Sequence, residues 1–253
     1  MLPCPPLRPS VEIPVPPFPG QLPWINVAPL RMDKQIGRPV LVEFWDFCRV
    51  NSLRTLPYVK EWHRRYAEAG LRVIGIHASG FPPSGDEQAV RDAVKRLAIE
   101  HPVVIDVRRE LWDFYGNEGW PARYMFDARG LLHELHYGEG AYADTERSIQ
   151  ELLGVRREPL APLRPEDEPG ALLPAQTEDR AGAYSGPYEA GGVWAVLDGR
   201  GEVSANGTTI AVEHPGCYAL VEHEHHTAAT LELDVSAGVT CHAVCFTPGV
   251  AAG

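Results

Sequence analysis

The stretch from Val40 to Pro57 constrains this chain more than any other. Val40-Leu41-Val42-Glu43-Phe44-Trp45 is apolar or aromatic at almost every position, the pattern of a strand covered on both faces. A short turn through Asp46, Phe47 and Cys48 then leads into a helix that carries Pro57. A sulfur delivered to the start of a helix meets backbone N–H groups without partners, which favour a thiolate. Arg49 and Arg54 add cations within about a turn. The candidate site therefore centres on Cys48, with Trp45 and Phe47 beside it. The plainer reading makes Cys48 a small buried hydrophobe at the strand end, as free cysteines often are; the two arginines weigh toward reactivity.

The rest of the chain organises around this stretch. Residues 1–20 are rich in proline and read as an extended arm, not a packed element, with Cys4 riding on it. Residues 21–155 alternate as an α/β domain. A helix is expected over 51–68, ended by Gly70, then a strand over 72–78 and a helix over 86–100 with Val90, Val94, Leu97 and Ala98 on one face. A short buried strand (102–106), a brief helix (108–115), a hairpin (123–126 and 131–137) and a closing helix (145–153) complete it. Residues 156–182 mix prolines, glycines and charges without periodicity and read as a linker.

Residues 183–253 read as purely β, with strands over 192–197, 201–204, 208–212, 217–221, 230–235 and 239–246 making a small sandwich or barrel. Asn206-Gly207 is the strongest short hairpin signal among them. His223-Glu224-His225-His226 falls between two of these strands and reads as a polar loop. Together with Cys241, His242 and Cys245 it offers residues that transition metals favour, yet no paired ligand motif of standard spacing is present and no metal is expected.

Three blocks carry a resemblance to a known family. They are Phe44-Trp45 through Leu56-Pro57, Trp62 through Gly70-Leu71-Arg72-Val73-Ile74-Gly75-Ile76-His77, and Gly119-Trp120-Pro121-Ala122-Arg123-Tyr124-Met125-Phe126-Asp127 continuing to Gly138-Glu139-Gly140-Ala141-Tyr142. Together they resemble the TlpA-like redoxins, which share the AhpC/TSA-like thioredoxin fold, and in particular the DipZ type, where a small β domain follows. The resemblance implies a three-layer α/β/α thioredoxin-like domain and then a small all-β domain. It also implies a cis peptide at Trp120-Pro121, in a loop that seats substrate opposite the helix start.

In that family a C-x-x-C pair follows Phe-Trp, its second cysteine five residues before the helix proline. Counting back from Pro57 puts Ser52 there and Arg49 where the attacking cysteine belongs, with Cys48 one residue early. Two thiols are needed because one attacks the target and the other resolves the mixed disulfide. Ordinary disulfide turnover is therefore expected to be absent or very weak. The upstream positions where a peroxiredoxin carries a proline and a hydroxyl are Leu41 and Trp45, which ranks peroxidase chemistry lower.

Composition narrows the setting. A net charge of −11 without a basic stripe argues against nucleic acid and anionic membranes as partners. Five cysteines, an odd and sparse set, do not form a secreted disulfide framework. The amino terminus lacks an unbroken apolar run, which predicts a cytoplasmic chain. Two functions stand. In the first, Cys48 acts as a single-cysteine thiol-dependent oxidoreductase on protein or small-molecule thiols and disulfides. Arg49 and Arg54 stabilise negative charge, Ser52 stands at the lost resolving position, and Trp45, Phe47, Trp120 and Pro121 line the substrate groove. In the second, the groove is kept for binding and turnover is lost. Neither calls for a cofactor, and the β domain admits a homodimer.

Overall fold

The structure, a computed structural model, describes residues 6–252. Its described residues divide into two compact units, one holding residues 6–46 and 51–161, the other holding residues 47–50 and 162–252.

The first unit is built on a six-stranded sheet. Its elements are β1 (Trp24–Ile25), β2 (Val40–Trp45), α1 (Val50–Tyr66), β3 (Arg72–His77), α2 (Glu87–Arg96), β4 (Val103–Ile105), α3 (Glu110–Phe114), β5 (Ala122–Phe126), β6 (Leu132–Tyr137) and α4 (Tyr142–Leu153). The strand order is β1-β4-β3-β2-β5-β6, with β2, β3 and β4 parallel and β1, β5 and β6 antiparallel to their neighbours. Every residue of β2 is buried, as a central strand covered on both faces requires. Period-two alternation sends Leu41 to a face shared with Val73 and Met125, packed under Tyr58, Val59, Trp62, Tyr142 and Ile149 of α1 and α4. Val40, Val42 and Phe44 point the other way, into a core with Ile74, Ile76, Tyr124 and Leu111. This is the expected three-layer thioredoxin-like arrangement.

The amino-terminal arm is extended but not unpacked. Leu7 exchanges two main-chain hydrogen bonds with Leu135, at 2.8 and 2.9 Å. Leu132 N–H donates to Ile13 O, and Val15 N–H donates to Gly130 O, both at 2.8 Å. The arm thus lies antiparallel along β6, the sheet's edge strand. An edge leaves a row of unpaired donors and acceptors, and an extended segment satisfies them. Val15 and Phe18 pack onto the core. Cys4 lies outside the described residues.

The second unit contains β7 (Arg180–Ala181), β8 (Gly186–Gly199), β9 (Gly201–Ala205), β10 (Thr208–Val212), β11 (Gly216–Leu231), β12 (Leu233–Val235) and β13 (Val239–Thr247). They form two sheets, β10-β9-β12 and β11-β8-β13-β7, whose inner side chains share one core that includes Val193, Leu197, Val203, Val212, Val244 and Phe246. Asn206 and Gly207 close the β9–β10 hairpin with φ of 48° and 81°, both left-handed as a type I′ turn requires.

Two expectations are corrected in this part of the chain. The stretch 156–182 is not linker throughout: Arg157 and Leu160 are held by Gln150 and Glu146 of α4, and Arg180–Ala181 pairs with β13. The His223–His226 segment is not a loop between strands but part of one long strand, β11. Pairing with β8 skips from Glu222 opposite Gly192 to Thr227 opposite Ala190. This bulge receives the carboxy-terminal segment, since His226 N–H donates to Val250 O, and a Cβ on Gly191 would lie 2.2 Å from Pro248 O.

Candidate functional site

The chain leaves the centre of the sheet at Trp45 and enters α1 at Val50. Between them Trp45, Phe47 and Cys48 are buried, with Cys48 at 0% exposure. Ser52, in the first turn of α1, is also fully buried, and its Oγ accepts the Asp46 N–H at 3.2 Å. The hydroxyl at the resolving position is therefore committed to the main chain at the end of β2. The Asp46 carboxylate is held by Gly80 N–H at 2.7 Å and Ser84 Oγ at 2.9 Å, with His77 Nε2 at 3.6 Å. Its charge is spent on fixing the turn after β3.

Arg54 and Arg49 are not equivalent. The Arg54 Nε donates to Glu139 Oε2 at 2.8 Å, and the two side chains are only 10% and 17% exposed. Glu139 belongs to the short β6–α4 loop, where Gly138, Gly140 and Ala141 all adopt positive φ. Its neighbour Gly140 accepts a bond from Arg123, and Gly138 N–H donates to Pro121 O. Arg54 thus joins α1 to the loop beside Pro121. Arg49 is less buried than its neighbours.

The Trp120–Pro121 peptide is cis. Ala122 pairs with Phe44, so the register places Pro121 level with Trp45, at the strand end from which the chain turns toward Cys48. Trp120 donates its indole N–H to Ala78 O at 2.8 Å and lies 4.1 Å from the Trp112 ring. The Arg109 guanidinium sits over both rings, at 5.2 and 5.0 Å.

Beneath this lies a buried acid facing a buried base: Glu43, which with Asp46 invites comparison with the buried carboxylate of thioredoxins, and Arg123, which the sequence alone did not place opposite it. Glu43 on β2 stands directly opposite Arg123 on β5, and both are almost completely buried. Among the described residues neither Glu43 oxygen has a hydrogen-bond partner, and burial pushes its carboxyl up to about 8 despite the opposing pull of Arg123. Burial likewise lowers the pKa of Arg123, which bonds Gly140 O at 2.5 Å and lies over the rings of Tyr142 and Trp62 at 5.1 and 5.7 Å. Two further buried bases flank the layer. Burial pushes His101 down to about 3 and His136 down to about 4. The available signal was an acid and a base interrupting apolar strand runs. Their pairing needed the register.

No family model matches the chain. Protein DipZ of Mycobacterium tuberculosis is 30% identical over 197 residues, covering 72% of this chain and 28% of DipZ. The thiol-disulfide oxidoreductase YkuV of Bacillus subtilis is 28% identical over 141 residues, covering 55% of this chain and 94% of YkuV. The chain belongs to the thioredoxin-fold redoxins of the DipZ type. The redoxin spans little more than a quarter of DipZ's own length. Among solved structures, a thioredoxin-like protein in its oxidised form matches it with a TM-score of 0.52 at 25% identity, over 57% of this chain and 97% of the other. A DsbE-like protein from Chlorobium tepidum matches with a TM-score of 0.50 at 18% identity, over 56% and 97%. These likenesses cover the α/β unit; the sheet-rich remainder is the second, all-β domain. Within the described residues of the redoxin, no helix is long and apolar enough to cross a membrane.

Proposed function

We propose that this redoxin is a binding module that holds a thiol- or disulfide-bearing partner at the Pro121 end of its sheet and carries out no two-thiol exchange. The observation that carries this reading is Ser52, buried and bonded to the Asp46 N–H where a resolving sulfur is required. Arg49 stands at the attacking position, and Cys48 has no solvent-exposed surface. A buried thiol does not meet a disulfide in solution. The relatives named as thiol-disulfide oxidoreductases support the partner class.

A second reading keeps Cys48 as a single reactive thiol. It is favoured by the chain position of Cys48, two residues before the first residue of α1, beside Arg49. One pair of measurements separates the two. With dithiothreitol present, insulin reduction by the wild-type chain stays at the uncatalysed rate, while a disulfide-bearing peptide quenches tryptophan fluorescence saturably. Reduction above background that disappears in Cys48→Ser replaces the binding reading with the single-thiol one.

A further inference from the structure

Arg109 stands at the same end of the sheet as Pro121. It lies in the turn after β4, where its N–H donates to Asp106 O at 3.0 Å, and it reaches across to Ser79, just after β3. Its guanidinium donates to Ser79 O from Nε at 3.0 Å and from Nη2 at 2.6 Å. The same group lies over the rings of Trp120 and Trp112. Trp120 forms the cis peptide with Pro121, so the cation is fixed to the loop that meets a partner in the binding reading. Arg109 itself holds φ of 59°, a left-handed conformation uncommon in residues other than glycine.

So firm a hold leaves part of the side chain unused. A guanidinium carries five N–H donors in one rigid plane, and two of these go to Ser79 O. Nη1 meets no acceptor among the described residues and is not enclosed. Nor does a carboxylate face it. Arg54, Arg65, Arg91 and Arg129 of the same unit each reach a carboxylate at 2.6–3.0 Å, whereas Arg109 has no ion pair among the described residues. A neutral donor would serve Ser79 O alone; the charge and the free edge of the fork exceed that duty. An arginine binding from solvent gives up rotamer freedom, but this one is already held by a carbonyl and two rings, so most of that cost is not met again. Its free edge fits an oxygen anion, and the indoles beside it keep water off its faces, which strengthens such a bond.

We infer that, given the binding role proposed above, Arg109 determines its specificity: it selects a partner segment that carries an aspartate or glutamate side chain along with the thiol or disulfide, the carboxylate closing on the Nη1 edge. The chain as a whole, at a net charge of −11, repels an acidic segment. Selection is therefore local to this one fixed cation, and it weakens as salt screens the pair.

The test uses peptides blocked at both ends, each with one cysteine capped as a mixed disulfide and an aspartate at one other position, moved in turn along the peptide. A matched set carries asparagine. Binding to the full chain is read by tryptophan quenching. At low salt one aspartate peptide is expected to bind about tenfold tighter than its asparagine twin, with the ratio shrinking as salt is added. Arg109→Gln is expected to erase the ratio, and Arg109→Lys, which keeps the charge without the fork, to retain part of it. Each ratio is taken within one protein, so a variant that weakens both twins alike leaves the readout intact. Twins bound equally by the wild type at every position, or a ratio unchanged in Arg109→Gln, overturn the selectivity while the binding reading stands. If no peptide of either set binds, the binding reading itself fails and the selectivity falls with it.

Discussion

Ser52 and Glu43 are both completely buried polar residues a few positions apart, and the protein treats them in opposite ways. The Ser52 hydroxyl has its hydrogen bond and costs the fold little. The Glu43 carboxyl has none and is held far from its ordinary ionisation. The difference separates two kinds of site residue. At the mouth, side chains have settled into structural duty. In the layer below, a group persists that stability alone would replace with something apolar, and violations of that kind gather where a fold serves function.

The largest effect is expected from rebuilding the mouth. Arg49→Cys combined with Ser52→Cys restores two sulfurs three residues apart at the start of α1. Insulin reduction is expected to rise from background to sustained turnover, with Arg49→Cys alone stalling as a mixed disulfide. Turnover in neither variant breaks the comparison, because the layer below then supports no redox chemistry even when the sulfurs are supplied.

The layer itself is probed by pH. The carboxyl of Glu43 titrates near 8 in the folded chain against 4.5 for its ordinary value, so the folded state keeps a proton that the unfolded chain releases. Stability contributed by this group is complete below about pH 4.5, declines as pH rises to about 8 and is flat beyond. At about 1.4 kcal/mol per pKa unit the loss is on the order of 5 kcal/mol at most. Glu43→Gln removes this slope, so urea midpoints of variant and wild type are expected to diverge in favour of the variant toward alkaline pH. Parallel curves would show that Glu43 is stabilised by contacts beyond Arg123. His101 has the opposite sign: its depressed pKa costs stability as pH falls from 6.5 toward 3.

Gly75 joins the two levels. It lies on β3 beside Glu43, and a Cβ there would stand 3.0 Å from Trp45 Nε1 and 3.3 Å from His101 Nε2. Gly75→Ala must push the Trp45 ring or the His101 ring aside, at a cost of about 1–3 kcal/mol by denaturant melt. If the mouth is only structural, peptide binding weakens in step with the displacement of Trp45. Unchanged binding would uncouple the two levels.

How much of this was legible beforehand follows from how local each feature is. The strand-turn-helix unit from β2 to α1, the helix proline and the Asn206-Gly207 hairpin are written in neighbouring residues and stand as read, give or take an end residue. The arm was read as free because its partner, β6, lies more than a hundred residues away and proline-rich composition says nothing about edges. The bulge at His223–His226 exists to receive Val250, a demand set by the tail and not by the histidines. Arg54 was assigned to the sulfur because sequence shows Cys48 nearby and hides Glu139, 85 residues on. Glu43 and Arg123 needed the register of two strands that are far apart in sequence.

The smallest expected effect decides what Ser52 is for. Ser52→Ala leaves the Asp46 N–H without its acceptor in a site closed to water, and a buried donor stripped of its partner costs about 1–2 kcal/mol. The loss should appear as a lowered denaturant midpoint with an unchanged slope, while insulin reduction stays at background and peptide binding is retained. Ser52→Thr keeps the hydroxyl but adds a methyl where there is no exposed surface, so it is expected to be no more stable than alanine. If alanine proves neutral, the hydroxyl is not holding the end of β2. Ser52 would then lose its structural account, and the contrast with Glu43 would have to rest on the carboxyl alone.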